Sequence, residues 1–205
     1  MRTRSEEKRR TIVRVAAKAF EELGYERTSM LTIAERMKGS KQTLYNYFPS
    51  KEDLLRAVLT EGVTEAAQET LAAFLADSDA DLRGALIRGG IFFLNHQLAP
   101  ATMALVRHVA NQSLESRIGA EFYEQAIGPA WDRFAECLES LMERGVLRRA
   151  DARVASLQFK ALNQLDLYER HLLGVDTVAD PKEVRAVAEA AADAFLRIYG
   201  PESAA

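Results

Sequence analysis

Between Gly39 and Leu55 the chain reads GSKQTLYNYFPSKEDLL, which concentrates groups able to touch a polyanion. On a helical wheel Leu44 and Phe48 fall on one side, while Lys41, Gln42, Tyr45 and Asn46 occupy the opposite arc. That arc offers a cation, two amides and a phenol. Such groups pair with base edges in a DNA major groove or hold phosphate oxygens. Tyr45 and Tyr47 add apolar bulk for sugars and thymine methyls while keeping a hydroxyl. Lys51 and the free amides at the start of the following helix form a further phosphate seat.

The charge distribution agrees. The chain has 205 residues and a net charge of −3, yet residues 1–51 carry +6 and the remainder −9. A basic head on an acidic body points to a polyanionic partner for the head alone. The length suffices for one large core or two small ones. No apolar run is long enough to span a bilayer. The charged start MRTRSEEKRRT leads into no secretory-type apolar segment. A single cysteine, Cys137, forms no internal disulfide and fits a reducing cytoplasm.

The elements that must position these groups all read as helix, because apolar residues recur at three and four. Ile12, Ala16 and Phe20 make a stripe on a first helix that ends at Gly24. Thr28 or Ser29 caps a short second helix with Met30, Ile33 and Ala34. After Gly39, Ser40 caps a third helix through about Tyr47, and Ser50 caps a longer fourth. The expectation is an all-α protein of about nine helices. It divides into a helix-turn-helix head, residues 1–50, and a helical body, residues 51–205. In the body, the polar cluster 76–81 reads as a loop and Pro100 opens a helix. Gly128-Pro129 kinks or starts another. A helix capped by Asp151 is expected to run to Gly174, and the last to begin at Asp180-Pro181.

Residues 9–59 closely resemble the DNA-binding domain of TetR-type (TetR/AcrR) transcriptional regulators. The match rests on Ala17 and Phe20, Gly24-Tyr25, Thr28-Ser29, Ile33-Ala34, Ser40, Thr43-Leu44-Tyr45, Tyr47-Phe48, Ser50-Lys51-Glu52 and Leu54-Leu55. The resemblance implies that three N-terminal helices bind DNA, while the later helices hold a small effector and a dimer interface. It places DNA contacts at Lys41, Gln42, Tyr45, Asn46, Tyr47 and Lys51, and phosphate contacts at Thr28 and Ser29. Ser40 and Thr43, opening the third helix, join the predicted set. Arg2, Arg4, Lys8 and Arg9 would form an N-terminal arm. One departure is the turn, Met37-Lys38-Gly39-Ser40 where the family has Ala-Gly-Val-Ser. Either Lys38 adopts a left-handed conformation, at roughly 1 kcal/mol, or Gly39 takes it and the turn shifts. Lys38 would also reach phosphate.

In the body, the segment from Pro100 to Asp151 resembles one TetR C-terminal subgroup. Rings and polar groups mix there, as a ligand pocket requires. The candidate effector residues are Phe92, His96, Met103, Arg107, His108, Asn111, Phe122, Trp131, Phe134, Asn163 and Tyr168. The last two long helices carry broad apolar faces. One runs through Val154, Leu157, Phe159, Leu162 and Leu165, the other through Val184, Ala188, Ala191, Ala192, Phe195 and Tyr199. They are expected to pair across a two-fold axis into a homodimer.

No Glu-x-x-His pair, Gly-x-Ser-x-Gly, P-loop or Cys-x-x-Cys is present, so an enzyme and a metal site are not expected, and no cofactor is implied. The expected function is a cytoplasmic, homodimeric, ligand-responsive transcriptional repressor on a palindromic operator. The alternative is a helical small-molecule-binding or interaction protein without specific DNA binding.

Overall fold

The structure, a computed structural model, describes residues 4–75, 80–112 and 116–201. Among them the chain forms eleven α-helices and one π-helical turn. The head holds α1 (Arg4–Leu23), α2 (Met30–Arg36) and α3 (Lys41–Tyr47). The body holds α4 (Lys51–Leu75), α5 (Leu82–Gln97), α6 (Pro100–Ala110), α7 (Ile118–Phe122), α8 (Gly128–Glu143), α9 (Ala152–Gln164), α10 (Leu167–Leu172) and α11 (Pro181–Tyr199). The predicted Arg2 and residues 76–79 of the predicted loop lie outside the described residues.

A local break raises the count above nine. The helix expected to run from Asp151 to Gly174 breaks at Leu165, whose φ of 40° and ψ of −130° leave the helical region. Conversely, Gly128-Pro129 does not break the chain. Residues Tyr123–Ile127 form the π-helical turn, and the Gly128 amide donates to Tyr123 O. The ladder shifts register just ahead of Pro129, which has no N–H to donate.

Side-chain caps hold the short helices. Ser29 Oγ accepts from the Thr32 amide at 3.0 Å and Ser40 Oγ from the Thr43 amide at 3.1 Å. Each bond satisfies one otherwise orphaned donor at its helix start. Ser29, rather than Thr28, caps α2.

The head's core does not stop at residue 50. Ile12, Phe20, Ile33, Leu44 and Phe48 pack with Leu54, Leu55 and Val58 of α4, and with Ile118, Phe122 and Ala126 of the body. A second core joins α4, α5, α8, α9 and α11 around Phe74, Leu86, Leu138, Phe159 and Phe195. The apolar face predicted for dimerisation on α11 is thus largely buried within one protomer. Val184, Ala188, Ala191, Ala192, Phe195 and Tyr199 are all in its core. What α9 leaves outward is Val154, Leu157 and Leu165, and α11 leaves Ile198. Between these helices, Leu173, Val175 and Val178 are each more than two-thirds exposed.

Candidate functional site

Two candidate surfaces emerge, one on α3 and one inside the body. On α3, Leu44 and Phe48 are 0 % and 3 % exposed, sealed against α1, α2 and α4. Their burial turns Lys41, Gln42, Tyr45 and Asn46 outward. Tyr45 is 37 % exposed and the Lys41 ammonium stands 5.6 Å from its ring centroid. Gln42 Nε2 donates to Asn46 Oδ1 at 3.0 Å, which aligns two amides along one edge of the helix. Tyr47 is only half outside, its ring packed against the head core.

The turn before α3 keeps the register of the resemblance. Lys38 has φ of 50°, and Gly39 is not left-handed. The Lys38 amide donates to Glu35 O at 3.0 Å and the Gly39 amide to Ala34 O at 3.1 Å. This pair of bonds is a Schellman motif with lysine where glycine is usual. Lys38 carries the strain, about 1 kcal/mol, and the turn does not shift onto Gly39.

Three predicted head contacts sit differently. Thr28 is 1 % exposed and its hydroxyl donates inward to Gly24 O at 2.8 Å and Ala19 O at 3.2 Å, so it braces the α1–α2 corner. Ser29 remains at the surface. The Lys51 ammonium turns onto the same corner. It donates to Tyr25 O at 2.9 Å and Thr28 O at 3.1 Å and lies 4.1 Å from the centre of the Tyr25 ring. Lys51 is therefore a staple between α4 and the corner, with its protons already taken. Arg9, expected in an N-terminal arm, pairs with Glu61 and lies over Phe48 at 5.3 Å.

Inside the body, the helices α4 through α10 line a cavity of about 400 Å³. The predicted His96, Phe122, Trp131, Phe134 and Tyr168 line it. Phe93 stands edge-on to Trp131 at 5.1 Å, and Trp131 edge-on to Phe134 at 6.1 Å. Burial pushes His96 below the ordinary histidine value, against an opposing pull from Glu69. Burial, with help from Glu169, raises the Tyr168 phenol.

The other predicted residues lie elsewhere. Phe92 is 43 % exposed, and its neighbour Phe93 takes the inward place. Met103 is core. Arg107 Nη1 donates to His171 O at 2.8 Å, tying α6 to α10. His108 stacks on Tyr25 at 4.0 Å and approaches Glu26 at 3.3 Å, so it joins body to head. Asn111 ends α6 at the surface. Asn163 is fully buried, donates to Phe159 O at 2.9 Å, and fills the space left by Gly90, where a Cβ would stand 2.3 Å from its Oδ1.

Sequence reasoning missed the α4 wall, Val63, Ala67, Thr70 and Phe74, and the polar pair Lys160 and Gln164 on α9. A signal for α4 existed. Its apolar and small residues run around the helix instead of along one stripe, as expected of a helix covered on several sides.

Two family models match this architecture. Residues 12–58 fit the bacterial regulatory proteins of the tetR family, and residues 84–201 fit the AefR-like transcriptional repressor C-terminal domain. The chain belongs to the TetR family. A TetR-family structure from Mesorhizobium loti superposes with a TM-score of 0.86 at 26 % identity, covering 97 % of this chain and all of that one. The flavonoid-responsive regulator FrrA is 30 % identical, with a TM-score of 0.68, 97 % of this chain and all of FrrA covered. Among curated relatives, the regulator YuxN of Bacillus subtilis is 47 % identical over 53 residues, 26 % of this chain and 18 % of YuxN. The A-factor receptor protein of Streptomyces griseus is 42 % identical over 52 residues, 25 % of this chain and 19 % of the receptor. The matched segments thus span about a fifth of these relatives' length. As a TetR-family chain, the protein carries the helix-turn-helix head and helical C-terminal domain of a transcriptional regulator. Among its described residues, no helix is long and apolar enough to cross a membrane, and no cluster of His, Cys, Asp or Glu suits a metal ion.

Proposed function

We propose that this TetR-family protein is a cytoplasmic, dimeric repressor that a small apolar effector releases from a palindromic operator. The observation that carries the reading is α3 itself. Its apolar side is sealed, and its outward side presents Lys41, Gln42, Tyr45 and Asn46 in one groove-sized arc. Arg and Lys supply phosphate charge, while amides and the phenol meet base edges. Ser29, Ser40, Thr43 and Lys38 line the approach to the backbone. Thr28 and Lys51 act by holding the α1–α2 corner in place.

The cavity is the effector site of this scheme. Phe122 lines it and also belongs to the head's core, and Val63, Val109 and Ile127 touch both. A molecule wedged against these side chains meets the head directly. His108 against Tyr25 and Glu26 adds a polar joint between body and head. Two copies pair through the outward residues of α9 and α11 and the 173–178 segment, which sets the two α3 helices about 34–36 Å apart for successive major grooves. The effector needs only a lower affinity for that spacing than for another. FrrA, a relative named for its response to flavonoids, supports a ring-bearing effector.

The test is selection from random duplexes followed by fluorescence anisotropy. Enrichment of an inverted repeat, bound as a dimer, is expected. A pool with no enriched sequence contradicts the reading and leaves a small-molecule-binding protein without an operator.

A further inference from the structure

The cavity wall carries cations and no anion. Lys160 and Arg133 are among its lining residues, with amides, hydroxyls and rings, but no Asp or Glu. Lys160 is partly buried on α9, next to the core residue Phe159. Among the described residues it has neither an ion pair nor a hydrogen bond. Burial first, and the Arg153 guanidinium second, push its ammonium below the ordinary lysine range. Arg153 itself pairs with Asp132 at 3.1 Å, which consumes the nearby carboxylate. A cation facing apolar walls is unfavourable unless an anion joins it there.

Another part of the wall is aromatic. Trp131 stands between Phe93 and Phe134, with Phe74 edge-on to Phe134 at 5.3 Å. Aromatic rings take a flat guest in offset-stacked or edge-to-face contact. We propose that the cavity takes a ring-bearing apolar acid, its carboxylate paired with Lys160 and its rings held by Trp131, Phe93 and Phe134. The inference rests on reading the cavity as the effector site. A quaternary or primary amine is the disfavoured class, since Lys160 and Arg133 repel it and no carboxylate on the wall answers it.

Trp131 is the only tryptophan in the chain, so its emission reports the cavity. The probes are arenes of one to three fused rings, each as the carboxylate, the primary carboxamide and the aminomethyl cation. They are titrated into the full-length protein and into Lys160→Met and Lys160→Arg, with operator release measured in parallel. The wild type is expected to prefer a carboxylate over its carboxamide by about tenfold or more, with the cation weakest. Lys160→Met should bring that ratio to about one without weakening the carboxamide, and Lys160→Arg should keep the preference. Equal binding of acid and amide by the wild type, or a preference that survives Lys160→Met, overturns the assignment. If the amides bind and release operator as well as the acids, the effector site stands and only its acid specificity falls. If no probe changes Trp131 emission or melting temperature, the effector-site reading falls too.

Discussion

The head and the body orient their working groups in opposite senses. On α3 the apolar side chains point in, and the polar ones stand in solvent around Tyr45. Around the cavity, Phe93, Trp131 and Phe134 line an interior space, and Lys160 shares it. The head's candidate site is a surface, set by which residues a single short helix seals. The body's candidate site is a gap, set by how the helices α4 through α10 leave the volume between them unfilled. A surface of this kind tolerates changes at its exposed positions without loss of fold. A gap does not separate so cleanly, because its wall is also the core.

The largest test of that contrast is Leu44→Ala. It removes the fully buried anchor of α3 and should destabilise the head by about 2–5 kcal/mol, with operator binding lost. Chemical denaturation checks it, and an unchanged midpoint would mean that α3 is not held as described. Lys51→Met comes next. Losing the bonds to Tyr25 O and Thr28 O should cost roughly 1–3 kcal/mol of stability and weaken DNA binding along with it. A variant that lost affinity at full stability would instead make Lys51 a direct phosphate ligand.

Tyr45→Ala sharpens the comparison from the other side. Affinity for the selected duplex should fall by about tenfold, with stability within roughly 0.5 kcal/mol of the parent. Anisotropy and melting together decide it. Lys38→Gly should raise head stability by up to about 1 kcal/mol, because glycine adopts the positive φ of 50° without strain. If Lys38 also reaches phosphate, the same variant removes one contact per protomer, and the dimer's salt-dependence slope falls by about two units.

The smallest effect belongs to the cavity. Burial holds His96 below the ordinary histidine value, so the unfolded chain binds a proton more readily than the folded one. Stability should decline as pH falls below about 6.5, and His96→Gln should flatten that part of the profile. Identical profiles would show that His96 does not titrate with folding.

The same difference explains what the sequence made legible. Ser40, Leu44, Phe48 and the outward arc lie within ten residues, so local periodicity and capping predict the cap of α3 and which of its sides is sealed. Thr28 and Lys51 escaped because their hydrogen bonds reach across the α1–α2 corner, a tertiary arrangement with no sequence period. In the body, one helical step separates Phe92 from Phe93, and only packing of α5 against α4 and α11 decides which turns inward. The α11 stripe was legible as apolar, but a stripe does not say whether its partner is the same chain or a second copy. The break at Leu165 carries no glycine or proline to announce it.

The most direct test of the central claim, that α3 displays a DNA-reading surface, is a salt titration of binding to the selected inverted repeat. Several phosphate contacts per dimer should give a linear fall of log affinity with log salt, at a slope of about −0.9 for each contact. Tyr45→Ala should shift that line downward without changing its slope. Binding that ignores salt, or that is equal on scrambled duplex, would contradict the account.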